Sequence, residues 1–165
     1  HGSLPTLGDQ RLDALGAAAA LKGKAGIALA KLAYQAYRDR FHADGAFAAL
    51  AKRGARPQYM LWASTGTKNP DYSDVLYVEP LIGPETINTM PDATLAAFRD
   101  HGRAAATLEQ NVDAARAHFE TLGRLGIDMH DVGETLQVQG VKLFVQSFDE
   151  LLALMAKAET VPAGT

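Results

Sequence analysis

The run Gln58-Tyr59-Met60-Leu61-Trp62-Ala63 is apolar without helical spacing, and Pro57 in front of it bars any continuing helix. With no polar alternation it has the pattern of a parallel strand covered on both faces. Such strands need helices to bury them, so this one stretch commits a largely helical chain to the α/β class. A polar loop follows at once: Ser64-Thr65-Gly66-Thr67-Lys68-Asn69-Pro70. Hydroxyls and backbone N–H groups donate hydrogen bonds, the glycine allows close backbone approach, and the lysine supplies charge. That is the chemistry of an anion site. The loop departs from the phosphate-loop pattern Gly-x4-Gly-Lys-Ser/Thr, and an ordinary surface loop has the same composition.

The segments before the strand read as helices. Asp9 to Leu15 is expected to form a short helix closed by Gly16, and Ala17 to Phe41 a long one. In the latter Leu21, Ala25, Ala28, Leu32 and Ala36 recur at spacings of three and four. Gly23 and Gly26 each cost such a helix about 1 kcal/mol against alanine, which close packing would offset. Lys22, Lys24 and Lys31 are expected on its solvated side, since no feature of the sequence supplies the desolvation a reactive amine needs. Asp44 to Arg53 reads as a short helix with Asp44 as N-cap and Gly54 as its stop.

After the loop, Tyr72 to Ile82 is expected to be a short helix or irregular turn, with Asp71 and Asp74 as helix-start residues. Thr86 to Met90 reads as a second strand. Its Asn88 and Thr89 are candidates for either a pocket floor or a capped strand end. Helices return at Asp92 to Asp100 and after Thr107, where Thr107 and Gln110 have capping-box spacing. Leu108, Val112, Ala115, Phe119 and Leu122 form the stripe of that helix. Asp131 and Glu134 suit caps of the last helices, whose apolar face runs from Leu136 through Phe144 and Phe148 to Met155. His1 to Ser3 reads as a tag remnant, residues 4–158 as one domain, and 159–165 as a frayed tail.

Composition closes off several functions. The 165 residues carry a net charge of −3, which offers no footprint for nucleic acid or an anionic membrane surface. An apolar fraction of 47% with 21% charged residues belongs to a globular chain. The absence of cysteine excludes a disulfide scaffold and a thiolate zinc site and fits a reducing cytoplasm. No apolar run approaches the roughly 18 residues of a membrane span. His42, His101, His118 and His130 lack metal-ligand spacing and are expected in surface or capping roles, so no metal or other cofactor is expected.

The stretch LWASTGTKNPDYSDVLYVEPLIGPETINTMP resembles the carboxy-terminal part of bacterial transaldolases of the longer subfamily. The likeness extends upstream through RLDALGAAAALKGKAGIALAKLAYQAYRDRF and downstream through VKLFVQSFDELL, covering about Thr6 to Met155. The resemblance implies the last portion of a (β/α)8 barrel, a TIM barrel, with about two short parallel strands and extra C-terminal helices. The family moves a dihydroxyacetone unit between sugar phosphates in the pentose phosphate pathway through a lysine Schiff base. Its Schiff-base lysine and acid/base carboxylates match nothing in this chain, so no catalytic residue is expected here. Ser64 and Lys68 match the family's phosphate-binding serine and basic residue, with Thr65, Gly66 and Thr67 shaping the pocket. Shorter members have arginine where Lys68 stands; lysine keeps the charge without the bidentate fork.

A complete barrel of this kind needs roughly 250 residues or more. Two strands cannot close one, and their edges present unpaired backbone groups. The chain is therefore expected to pair with a missing amino-terminal portion, to self-associate, or to rearrange into a helical globule. Two functions follow: part of a sugar-phosphate-binding transaldolase, inactive alone, or a catalytically empty helical binding or assembly module derived from one.

Overall fold

A computed structural model describes residues 4–16, 19–43 and 45–159. The elements run α1 (Leu4–Ala14), a 3-10 turn (Ala19–Leu21), α2 (Ala25–Phe41), α3 (Ala46–Ala51), β1 (Met60–Ala63), a 3-10 turn (Glu79–Leu81), β2 (Thr86–Thr89), α4 (Asp92–His101), α5 (Val112–Arg124) and α6 (Met129–Glu159). The architecture is helix-dominated with two parallel strands, as expected. Met60, Leu61, Trp62 and Ala63 pair with Thr86, Ile87, Asn88 and Thr89.

The long helix expected over residues 17–41 is interrupted. Gly23 adopts a φ of +71°, a left-handed backbone that ends the 3-10 turn and lets α2 start afresh at Ala25. A Cβ there would meet the Tyr72 ring at 3.2 Å. Ala17, Ala18 and the predicted N-cap Asp44 lie outside the described residues, as do His1 to Ser3 and 160–165.

Two apolar clusters meet along α2. At its N-terminal end Ala25 joins Leu12 of α1, Leu122 of α5, Ile127, and Val132 of α6. Further along, Tyr34 and Tyr37 join Trp62 of β1, Leu81 and Leu108. Trp62 also donates its indole N–H to the Leu81 carbonyl at 3.1 Å, so the buried ring is satisfied. The buried face of α2 is Ala25, Ala28, Lys31, Tyr34 and Tyr37, a spacing of three throughout; Ala36 of the expected stripe is exposed.

Lys31 therefore overturns the solvated reading. Its ammonium is buried and donates to the carbonyls of Thr107 (2.7 Å), Gln110 (3.0 Å) and Leu108 (3.3 Å). Those carbonyls belong to the turn before α5, so the lysine ties α2 to α5. Burial lowers the Lys31 pKa from its usual value. The same turn explains the missing capping box. Thr107 gives its hydroxyl to the Glu79 carbonyl and receives the Ile82 N–H, and α5 begins only at Val112. Asp128, rather than Asp131 or Glu134, opens the last helix by accepting the N–H of His130 at 2.8 Å.

The sheet is covered on one side only. Trp62 faces the helices, whereas Leu61 (51% exposed) and Ile87 (47%) lie bare on the other face. The run has no polar alternation because it is suited to two covers, and this chain supplies one. The end of α6 shows the same condition. From residue 141 to 157 every side chain is exposed, Phe144 and Phe148 included, although the expected helical stripe is present. Among the described residues no helix is long and apolar enough to cross a membrane.

Candidate anion-binding site

β1 ends at Ala63 because Ser64 turns the chain with a φ of +55°, a left-handed value uncommon for a residue with a Cβ. The loop that follows lies over the carboxyl end of the two strands. There a groove of about 720 Å3 is lined by all of Ser64, Thr65, Gly66, Thr67, Lys68 and Asn69, by β1, and by Asp9, Asp13 and Tyr72. The five residues singled out from the sequence thus share one groove.

Their roles within it differ. Thr65 is buried and donates its hydroxyl to Asn88 Oδ1 of β2 at 2.6 Å, tying the loop to the neighbouring strand end. Thr67 donates to the Ser73 carbonyl at 2.9 Å. Both hydroxyls are spent on shape. Gly66 is required by space: a Cβ would come within 2.9 Å of the Pro91 ring and 3.2 Å of Thr94 Oγ1. The hydroxyl of Ser64 makes no hydrogen bond among the described residues, and the exposed Lys68 ammonium has no carboxylate at ion-pair distance there. Among the described residues the loop thus leaves one hydroxyl and one cation without partners, separated by loop backbone, which are donor types that anion sites use.

Two carboxylates also line the groove, and both are engaged. Asp13 pairs with Lys22. Asp9 accepts the Gly23 N–H at 2.9 Å on one oxygen and the Tyr72 hydroxyl at 2.7 Å on the other. Burial and then this hydrogen bond push the Tyr72 pKa up to about 12, so the phenol keeps its proton at neutral pH. Neither Asp9 nor Tyr72 is conspicuous in the sequence, because 63 positions separate them.

The remaining candidates fall outside the groove. Thr89 donates to the Trp62 carbonyl at 3.3 Å, and with Asn88 held by Thr65 both act as strand-end caps. Asp74 starts no helix; it bonds His101 Nε2 at 2.9 Å, while the Asp71 N–H donates to Asn69 Oδ1 in a local turn. His101 and His130 are exposed, and His42 pairs with Glu85 at 2.6 Å. His118 departs from the surface expectation. It is 8% exposed, its Nε2 lacks a hydrogen-bond partner among the described residues, and burial and then Lys24 lower its pKa. Among the described residues no group of three His, Cys, Asp or Glu side chains is placed to hold a metal.

Fold and groove together define an α/β domain with an anion-suited loop at the carboxyl end of a parallel strand. The family model described as transaldolase/fructose-6-phosphate aldolase matches residues 7–155. The chain belongs to this family. It is 62% identical over 133 residues to the transaldolase of Thiobacillus denitrificans, an alignment that takes in 81% of this chain and 37% of that protein. The transaldolase of Neisseria gonorrhoeae is 53% identical over 133 residues, with 81% and 38% covered. That of Thermobifida fusca is 48% identical over 152 residues, with 90% and 41% covered. The chain thus spans about two-fifths of the length of these curated relatives.

Proposed function

We propose that this chain is the carboxy-terminal part of a transaldolase barrel and carries the end of the active site that holds the substrate phosphate. The observation that carries the reading is that Ser64 and Lys68 line one groove at the carboxyl end of β1, with the intervening threonines spent on holding the loop. Active sites of α/β barrels lie at that end of the strands. Lys68 supplies charge and Ser64 a hydroxyl donor to the phosphate of a sugar phosphate, with Thr65, Gly66 and Thr67 as the frame. Phosphate binding remote from the reacting carbon orients the donor ketose and contributes to the rate rather than to affinity alone.

The chemistry belongs to residues of an amino-terminal portion. There a lysine amine forms the imine, a retro-aldol step releases the aldose phosphate, and the dihydroxyacetone unit passes to a new aldehyde. The bare face of Leu61 and Ile87 supports a partner that completes the sheet, and the lack of cysteine supports a cytoplasmic setting. No specific observation favours the empty-module reading, since Lys68 lines the groove with Ser64.

Titration of the 165-residue chain with inorganic phosphate and a ketose phosphate, followed by amide chemical shifts, tests the site. Shifts are expected at residues 64–69, and Lys68→Ala should weaken binding at least about tenfold, the worth of one charge-assisted contact. Equal binding by Lys68→Ala, or turnover by the 165-residue chain alone, refutes the reading.

A further inference from the structure

The groove has a second wall that the phosphate reading does not use. Tyr72 sits four residues beyond Lys68, and its ring packs on Gly23, where only a left-handed glycine leaves room. Its hydroxyl donates to Asp9 Oδ2 at 2.7 Å, and the other oxygen of Asp9 holds the Gly23 N–H at 2.9 Å. One carboxylate on α1 therefore fixes both the 19–23 turn and the tyrosine lying on it. The Tyr72 N–H in turn donates to the Asn69 carbonyl at 3.2 Å, next to Lys68, and Thr67 bonds the Ser73 carbonyl. Residues 67–73 form a loop bound to itself, and the Tyr72 hydroxyl fastens that loop to α1.

We propose that Asp9 and Tyr72 are positioning residues for anion binding, with α1 setting where the loop presents Lys68 and Ser64. This rests on the phosphate reading above. A carboxylate in an anion groove would ordinarily repel the ligand. Here both its oxygens are occupied by neutral donors, which weaken the repulsion without cancelling the charge, and Lys68 supplies the positive charge that outweighs it for an anion. Loss of the tyrosine hydroxyl leaves the internal turns of residues 67–73 intact and releases the loop as a unit. A free loop must be ordered by the anion itself, which lowers affinity without removing a contact.

Limited trypsin digestion separates this role from general stability. Cleavage at Lys68–Asn69 is compared with cleavage at the exposed Lys52–Arg53, in the wild-type chain and in Tyr72→Phe, with and without inorganic phosphate. The isosteric phenylalanine keeps the ring on Gly23. Cleavage after Lys68 is expected to rise about tenfold in Tyr72→Phe with no change after Lys52, as for a local opening that loses one hydrogen bond to a charged group. Phosphate should protect Lys68 in the wild type, and the variant should need at least about tenfold more for equal protection. Asp9→Ala should behave as Tyr72→Phe does at Lys68. Unchanged cleavage after Lys68, or equal acceleration at both sites, overturns the proposal. Acceleration at Lys68 alone in the variant, with no phosphate protection of the wild type, overturns the phosphate reading. It reduces the clasp to a loop anchor.

Discussion

Helices α2 and α6 are both long and striped with apolar residues, yet they end in opposite conditions. α2 is wedged between two clusters, and five of its residues, one at every third position, are buried. α6 is almost twice as long, at 31 residues against 17, but among the described residues it joins the core near its start, through Met129, Val132 and Leu136 and an ion pair from Asp131 to Arg11. The difference teaches that a stripe encodes what a helix is built to bury, whereas burial also needs the opposing surface. The bare side of the β1–β2 sheet repeats the lesson on a smaller scale.

This contrast breaks if a core substitution under α2 is mild or a substitution on the α6 face is severe. Leu122, fully buried where α5 meets α2, should cost about 2–5 kcal/mol when replaced by alanine, read from denaturant unfolding. Lys31→Met removes the ammonium and leaves the Leu108 and Gln110 carbonyls without its donor, while the Thr107 carbonyl keeps the Gln110 N–H at 3.0 Å, for a loss of about 3 kcal/mol. A smaller loss than Leu122→Ala keeps the ranking, and no loss would mean that water replaces the ammonium. Gly23→Ala forces a side chain into a left-handed turn against Tyr72, and about 1–2 kcal/mol should follow from backbone strain alone.

The next effect is conditional on pH. His118 is held below its ordinary value by burial and by Lys24, so between its folded value and about 6.5 the unfolded chain binds the proton first. Its contribution to stability is present in full above about pH 6.5 and drains away as the pH falls through the folded value. His118→Gln should flatten the acid side of a plot of Tm against pH. His101 runs the other way. Hydrogen bonds to Asp74 and then Asp100 raise its pKa, so its contribution is present below about pH 6.5 and is lost as the pH rises through the folded value. At the small end, Phe144→Asp on α6 should change unfolding stability by no more than about 0.5 kcal/mol. Sedimentation should show less self-association, because a large exposed ring has been removed.

What could be read from the sequence followed contiguity. β1 and β2 fall inside the expected strands, and all five loop candidates meet in one groove because they are neighbours along the chain. The helical stretches were likewise legible, since spacing is local. What failed was set by partners far along the chain. Lys31 looked like one of three solvated lysines because the carbonyls that take it lie 76 to 79 residues away. Thr107 and Gln110 had capping-box spacing, but the Glu79 carbonyl takes the threonine hydroxyl first. Asp9 and Tyr72 carry no motif; only the fold makes them a pair. Gly23 was weighed as a penalty inside a helix, whereas the structure uses it as a break.

The Lys31 ammonium has a consequence for how the domain meets its solvent. Three inward carbonyls are what a potassium or ammonium ion would seek, and here the cation is covalently attached to the helix that needs it. Its effective concentration is fixed by the chain, so dialysis or dilution cannot remove it. Buried as it is, it is also little affected by the ionic atmosphere that screens surface pairs such as Arg124–Glu120 at physiological salt. The junction of α2 and α5 should therefore hold equally well in dilute buffer and in brine.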